Sequence, residues 1–411
     1  MSSVIPSAGE KPEAPAILVF SSLFPSTATP NAGLFIRERM FRVGQRLPVT
    51  VVSPQPWFPL QGLLRYWKPH FRPEAPFHEV QQGVDVYHPR FYSIPAVAKR
   101  LDGLFMALGT YFLVRRLQRE RRLRLIDAHF AYPDGYAATL LGRWLKLPVT
   151  ITLRGTEVPL SRYPARRRRM LRALRRASDV IAVADSLRQH VAALGFPGER
   201  VSIIGNGVDT EKFHPVDRLQ ARRQLDIDVD ATVIISVGGL VERKGHHRVL
   251  ELLPALCEQF PGLVYLIVGG ASAEGDWRAR LEQQVRELGL EDAVRFLGVL
   301  PQEELKIPLS AADLFVLSTQ NEGWANVFLE AMACGLPVVT TDVGGNREVV
   351  SNDDNGIIVP FGNREELLNA ITEGLRRNWD RDAILRYARE NSWDERVTRL
   401  EGLFQGVVEG A

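Results

Sequence analysis

Short β-branched apolar runs alternate with amphipathic stretches along nearly the whole chain, a pattern that predicts repeated strand and helix pairs. In the first half AILVF (16–20), VTVVS (49–53), RLIDAHF (124–130), PVTITL (148–153), DVIAVA (179–184) and VSIIG (201–205) read as strands, with helical patterns between several of them. The count restarts after NGVDTEKFHPVD (206–217), whose Gly, Asp and Pro read as a linker. TVIISVG (232–238), LVYLIVG (263–269), AVRFLG (293–298), LFVLS (314–318) and LPVVTT (336–341) form the second set of strands, with helices expected around 245–259, 276–288 and 325–334. That ordering implies parallel sheets covered on both faces, so the fold class is α/β with two doubly wound domains. The expected division is a disordered tail at 1–15, an N-terminal domain at 16–210, a C-terminal domain at 211–391 and a terminal segment at 392–411. In the last of these Trp393, Val397, Leu400, Leu403 and Phe404 recur at helical spacing, which reads as a helix packed back toward the first domain.

Composition sharpens this outline. At 411 residues and 45% apolar content the chain is long enough for two cores. Two cysteines, Cys257 and Cys334, exclude a disulfide framework and fit a reducing compartment, so the cytosol is the expected location. The start, MSSVIPSAGEKPEAPA, lacks the apolar segment of a secretory signal, and no run reaches the roughly 18 to 20 apolar residues that cross a bilayer. The net charge of +3 conceals a split: residues 1–210 carry 30 Lys and Arg against 15 Asp and Glu, while residues 211–411 carry 21 against 33. The first half is thus expected to face something anionic: a lipid surface, a phosphorylated acceptor or nucleic acid.

In parallel sheets ligands collect at the carboxyl ends of the strands, which directs attention to the strand-to-helix loops. SVGGLVERKGHHRVLELL (236–253) passes from a strand through a glycine turn to a helix near Gly245, with Lys244 at its entrance and Arg243 beside it. Together with backbone N–H groups these cations suit a diphosphate; a solvated Arg-Lys pair is the plainer alternative. In LFVLSTQNEGWANVFLEAMACGLPVVTTDVGGNREVV (314–350) Glu322 precedes a helix and Glu330 lies within it, flanked by Leu329, Ala331 and Met332. A carboxylate so placed needs a hydrogen-bonding partner, and vicinal hydroxyls of a ribose or sugar ring supply one. Helix capping by Glu322 and an exposed face for Glu330 is the alternative. NDDN (352–355) reads as a turn, and no cluster of His, Cys and carboxylates has metal-ligand spacing.

The run EGWANVFLEAMACGLPVV, followed by TDVGGNRE, resembles the nucleotide-sugar signature of family-four retaining glycosyltransferases, the group 1 type, with the GT-B fold. FPSTATPNAGLFIRERM, DAHFAYPDGYAA, TLRGTEV, IIGNGVDTEKF and ERKG extend the resemblance over most of the chain. It implies two Rossmann-like domains facing a central cleft, with Glu330 holding the ribose hydroxyls. Glu322, with the backbone of Gly323 and Trp324 and the neighbouring Ala325 and Asn326, would address the donor sugar. Lys244 and the Gly238 turn would take the diphosphate, His129 would match the active-site histidine, and Gly33 would belong to a loop closing over the donor. The plainer reading of His129 is a satisfied core histidine.

The resemblance further implies transfer with retention, in which the leaving phosphate assists removal of the acceptor proton, so His129 is expected to position the sugar rather than act as a base. His129, Lys244 and Glu322 are the expected catalytic residues. No metal or other cofactor is expected; the donor is an NDP-sugar, UDP or GDP first, and the acceptor a saccharide or lipid-linked molecule of cell-surface polysaccharide or glycolipid synthesis. One departure stands out: the family commonly has Gly-Arg where this chain has Gly238-Gly239, so Arg243 or Arg154 is expected to replace the missing cation.

RYPARRRRMLRALRRAS (162–178) places eight arginines within residues 162–176 around Met170, Leu171 and Leu174. Its face of Arg166, Arg167, Arg168, Arg169, Arg172, Arg175 and Arg176 is a candidate patch for anionic lipid, with peripheral attachment at the inner membrane face, or for a lipid-diphosphate acceptor. The competing functional classes are a nucleotide-sugar epimerase or hydrolase on the same scaffold, and a non-enzymatic protein that binds anionic membranes or nucleic acid. The paired glutamates argue against the last, since polyanion binding has no use for them.

Overall fold

A computed structural model describes residues 14–30, 32–59, 61–62, 72–94, 99–272 and 274–410. Most of the tail expected at 1–15 lies outside the described residues. The chain divides into two compact units, one of residues 1–181, 191–202 and 397–411, the other of residues 182–190 and 203–396. The segment read as a linker, 206–217, therefore falls within the second unit.

The strands of the first half are β1 (Ala16–Phe20), β2 (Val49–Val52), β3 (Gln55–Trp57), β4 (His78–Gln81), β5 (Val84–Tyr87), β6 (Arg90–Tyr92), β7 (Leu123–His129), β8 (Val149–Leu153), β9 (Asp179–Ala182) and β10 (Val201–Ile203). Eight of them form one sheet in the order β10-β9-β8-β7-β1-β2-β5-β4, while β3 and β6 pair separately. β8, β7, β1, β2 and β5 run parallel, and β4 closes the edge antiparallel to β5. Strand order reverses between β1 and β7, so the loops that follow them open a crevice at the carboxyl edge. The β4–β5 hairpin and the β3–β6 pair go unpredicted from sequence because they are short and half-exposed, without a long apolar run.

The second unit holds β11 (Val233–Val237), β12 (Val264–Val268), β13 (Val294–Gly298), β14 (Leu314–Leu317), β15 (Val338–Thr341) and β16 (Gly356–Val359), all parallel in the order β13-β12-β11-β14-β15-β16. Period-two alternation sorts its apolar residues into two cores. Val233, Ile235, Leu266, Phe315 and Leu317 meet Phe328, Leu329 and Met332 on one face. Ile234, Tyr265, Ile267, Leu314 and Val316 meet Val249, Leu253 and Ile371 on the other. The helix expected at 245–259 is two helices, His246–Leu250 and Leu253–Gln259, with Pro254 in the first turn of the second. Proline lacks the N–H that a continuous helix requires there. NDDN forms a turn in which Asn352 Oδ1 accepts the Asp354 N–H at 3.0 Å.

Candidate active site

β11 and β14 are neighbours where the strand order of the second sheet reverses, and the candidate residues sit on the loops that leave their carboxyl ends. Lys244 Nζ donates to Glu322 Oε1 at 2.6 Å. The same oxygen accepts from Arg243 Nη1 at 3.2 Å and from Thr319 Oγ1 at 3.0 Å. Arg243 also donates through Nη1 to the Asn321 carbonyl at 2.8 Å, and through Nε and Nη2 to Glu274 at 2.8 and 2.6 Å. Hydrogen bonding to Glu274, with Glu322 adding to it against the cost of burial, raises the Arg243 pKa, and Arg243 in turn lowers that of Glu274. Both cations are held by carboxylates and only partly buried, as a site for an incoming polyanion requires. Gly238 lies under the aliphatic stem of Lys244, whose Cδ and Cε would be 3.4 Å from a Cβ there.

The helix Asn326–Ala333 begins beside this cluster. At 100° per residue its Phe328, Leu329, Ala331 and Met332 turn to the core, while Glu330 falls between Asn326 and Val327 on the half-exposed side. Glu330 is therefore not embedded among its apolar sequence neighbours; helical periodicity turns Leu329 and Ala331 100° away from it and Met332 further still. Asn206 Nδ2 donates to Asn326 Oδ1 at 2.9 Å, and the Trp324 ring lies where a Cβ on Gly205 would meet it at 2.6 Å. Ala325 is buried in the core. The Gly323 carbonyl lies 2.5 Å from the place of a Cβ on Gly345, and Glu348 accepts the N–H groups of Asp185 and Ser186 at 2.5 and 3.0 Å. The stretches around 205–207, 322–326 and 344–348 are thus one packed body. Glu274, Thr319 and Asn206 went unassigned in the sequence; Asn206 and Thr319 lie in stretches quoted above, Glu274 in none.

In the first unit His129 ends β7 and is fully buried. Arg154 Nε donates to its Nδ1 at 2.9 Å, which leaves the proton of the neutral ring on Nε2, facing Asp127 Oδ2 at 3.3 Å. Asp127, two residues earlier and so on the same face of the strand, accepts from Thr150 Oγ1 at 2.8 Å. Burial, with the Arg154 charge, pushes the His129 pKa down to about 4. The ring is neutral at pH 7, with both nitrogens facing protein groups. Glu157 ties the loops together by accepting from the N–H groups of Ala131, Arg154 and Gly155 at 3.0, 3.2 and 2.8 Å. The Arg154 guanidinium lies 5.2 Å from the Phe35 ring centre, in the helix that follows Gly33. Gly33 has φ 72, and a Cβ there would stand 2.5 Å from the Leu23 carbonyl oxygen, so this close approach to Leu23 requires glycine. Arg154 belongs to the first unit; Arg243 belongs to the second, where it stands in the Lys244 cluster.

The helix Pro164–Arg176 buries Met170, Leu171, Ala173 and Leu174. Arg167, Arg168, Arg172, Arg175 and Arg176 are exposed, Arg166 and Arg169 half-exposed, and among the described residues no carboxylate pairs with this face.

Residues 217–391 match the family described as glycosyl transferases group 1, and residues 69–212 match glycosyltransferase family 4. The chain belongs to the group 1 glycosyltransferases. This glycosyltransferase is 28% identical to the putative teichuronic acid biosynthesis glycosyltransferase TuaC of Bacillus subtilis over 93% of the chain and 91% of the relative. A D-inositol 3-phosphate glycosyltransferase of Corynebacterium urealyticum is 35% identical over 51% of each chain, so that match covers about half of the relative's length. Among solved structures, sucrose-phosphate synthase from Thermosynechococcus elongatus superposes with a TM-score of 0.75 at 21% identity, covering 97% of this chain and 100% of that one. Anabaena HepE in complex with UDP gives 0.72 at 22% identity over 95% and 100%. The fold is GT-B.

Proposed function

We propose that the enzyme moves a sugar from an NDP-sugar to a saccharide or lipid-linked acceptor with retention at the anomeric carbon, in cell-surface polysaccharide or glycolipid synthesis. The observation that carries this reading is the cluster of Lys244, Arg243 and Glu322 at the strand-order reversal of the second unit. HepE, of the same fold, has been crystallised with UDP and with UDP-glucose, which favours a uridine donor; TuaC is named for polysaccharide synthesis, which favours a saccharide acceptor.

In this reading the bond from the anomeric carbon to the diphosphate oxygen breaks and its electron pair stays on that oxygen. The acceptor hydroxyl bonds to the carbon from the same face and passes its proton to the departing phosphate. Lys244 and Arg243 stabilise the charge that develops on the diphosphate, the step at which fixed cations contribute most. Glu322 orients both cations and accepts from a sugar hydroxyl, and Glu330, on the half-exposed side of its helix, accepts from the ribose. His129 positions rather than titrates. Cations of the chain itself serve the diphosphate, so transfer needs no added metal, and EDTA is expected to leave the rate unchanged. The exposed arginines of helix Pro164–Arg176 draw the enzyme to an anionic membrane surface where a lipid-linked acceptor resides.

The test is transfer from labelled UDP- and GDP-sugars, with the anomeric configuration of the product read by NMR. Calorimetry on Glu330→Ala accompanies it: sugar nucleotide bound as tightly by the variant as by the parent removes the ribose role. Release of free sugar at the same rate with and without acceptors would favour the hydrolase alternative.

A further inference from the structure

The sequence places a basic face and an apolar stripe on one helix, Pro164–Arg176, but the structure turns that stripe into the core. Exposed apolar surface appears instead on the helix Asp102–Glu120. Leu108 is 53% and Phe112 78% exposed, and their spacing of one helical turn stacks them on one face. Phe112 meets Tyr111 edge-on at 5.3 Å, and Tyr111 meets Trp144 at 5.9 Å. Trp144 is 40% exposed near the end of the helix Tyr136–Leu145. The last turns of Asp102–Glu120 carry exposed Arg115, Arg116 and Arg119.

Helix Tyr136–Leu145 packs against both Asp102–Glu120 and Pro164–Arg176, so the aromatic strip and the arginine face belong to one layer of the first unit. The starts of helices Asp102–Glu120 and Pro164–Arg176 both lie near Tyr132. The Tyr132 hydroxyl donates to the Lys99 carbonyl at 2.6 Å, just before Asp102, and feels the charges of Arg169 and Arg166. Arg166 in turn lies 4.6 Å from the ring centre of Tyr163, which is 57% exposed.

We propose that this layer is a bilayer-contact surface: Leu108, Phe112 and Trp144 enter the interfacial region of an anionic membrane while the arginines of the two flanking helices bind its headgroups. Leu, Phe and Trp bordered by arginine are the composition of helices that lie in a membrane interface, with apolar burial and headgroup attraction acting together. A second copy of the chain would bring like charges together, and a nucleic acid would leave Leu108 without a partner. This inference deepens the membrane reading given above: it rests on the arginine attraction and adds an apolar component that attraction alone lacks.

The test is sedimentation of the full chain with phosphatidylcholine vesicles, alone or with about 30% phosphatidylglycerol, over a range of salt. The parent protein is expected to sediment with the anionic vesicles only. Leu108→Ser/Phe112→Ser is expected to lower its partition coefficient roughly tenfold with melting temperature and nucleotide affinity unchanged. Arg167→Ser/Arg168→Ser/Arg172→Ser is expected to weaken binding and remove most of its salt dependence. If the Leu108/Phe112 variant partitions like the parent while the arginine variant does not, insertion is overturned and the arginine attraction stands. No sedimentation of the parent with either vesicle overturns both, and displacement of the parent from vesicles by an RNA oligonucleotide, equal in the Leu108/Phe112 variant, assigns the surface to nucleic acid and overturns the proposal.

Discussion

Lys244 Nζ stands 2.6 Å from Glu322 Oε1, an ion pair between residues 78 apart in the chain that joins the loops after β11 and β14. Its partners are 16% and 10% exposed, buried enough to fix the geometry and open enough for a diphosphate to join. Lys244→Met removes the charge but keeps the stem over Gly238. The expected result is a fall in kcat/KM for transfer of roughly a hundredfold or more, since fixed charge at a leaving group acts mainly in the transition state. Steady-state NDP release measures it, with a melting curve to show that the variant folds.

Glu274 occupies two donors of Arg243 in the same cluster and so competes with a diphosphate for them. Glu274→Gln should free Arg243 and tighten UDP or GDP binding by a few-fold. The gain is modest because Glu274 is half-exposed and such pairs are worth about 1 kcal/mol or less. Calorimetry reads the Kd; the effect should vanish when Arg243→Ala is already present, and a tightening that persists there would assign it to another cause.

Gly344 has φ 53, and a Cβ at that position would collide with the Glu322 carbonyl oxygen. Gly344→Ala is expected to push the Glu322 loop away from Lys244, destabilising the fold by roughly 1–3 kcal/mol and raising the KM for the donor. Thermal melting and donor titration are the two readouts. A normal KM would mean that the loop tolerates the displacement.

His246, next to Gly245, is buried. Burial outweighs the nearby Gly239 and Gly238 backbone and, with the Lys244 charge adding to it, pushes its pKa from 6.5 to about 4. Between those values the unfolded chain binds a proton that the folded chain does not, so stability is complete above about 6.5 and is lost as pH falls toward 4. The loss is on the order of 3 kcal/mol. His246→Leu should therefore raise the melting temperature relative to the parent, increasingly as pH drops from 7 to 5. Asp134, whose buried carboxyl titrates near 7, acts in the opposite sense over that window, so the difference between variant and parent is the quantity to measure.

Most strands of the two large sheets, though not β4, β5 or β16, could be read from the chain because a parallel sheet buried on both faces demands near-continuous apolar runs such as AILVF, VTITL and LFVLS. The paired glutamates, Lys244 at its helix entrance and the arginine-rich helix were legible for the same kind of reason: each is a local pattern of charge against apolar periodicity. Period alone also misled. Glu330 has apolar neighbours in sequence, yet 100° per residue sets it apart from them in space.

By itself the sequence determined the two α/β units, the glycosyltransferase family and the loops that carry charge, because strand burial, turn chemistry and motif spacing are properties of short stretches. Only the tertiary structure decided that Arg243 is shared between Glu274 and Glu322, that His129 is enclosed between Arg154 and Asp127, and that the arginine helix hides its apolar stripe while Asp102–Glu120 exposes one. Those outcomes depend on which residues, tens of positions apart, the sheet order brings to one edge or one layer, and on which side of a helix the core lies. No local pattern encodes that.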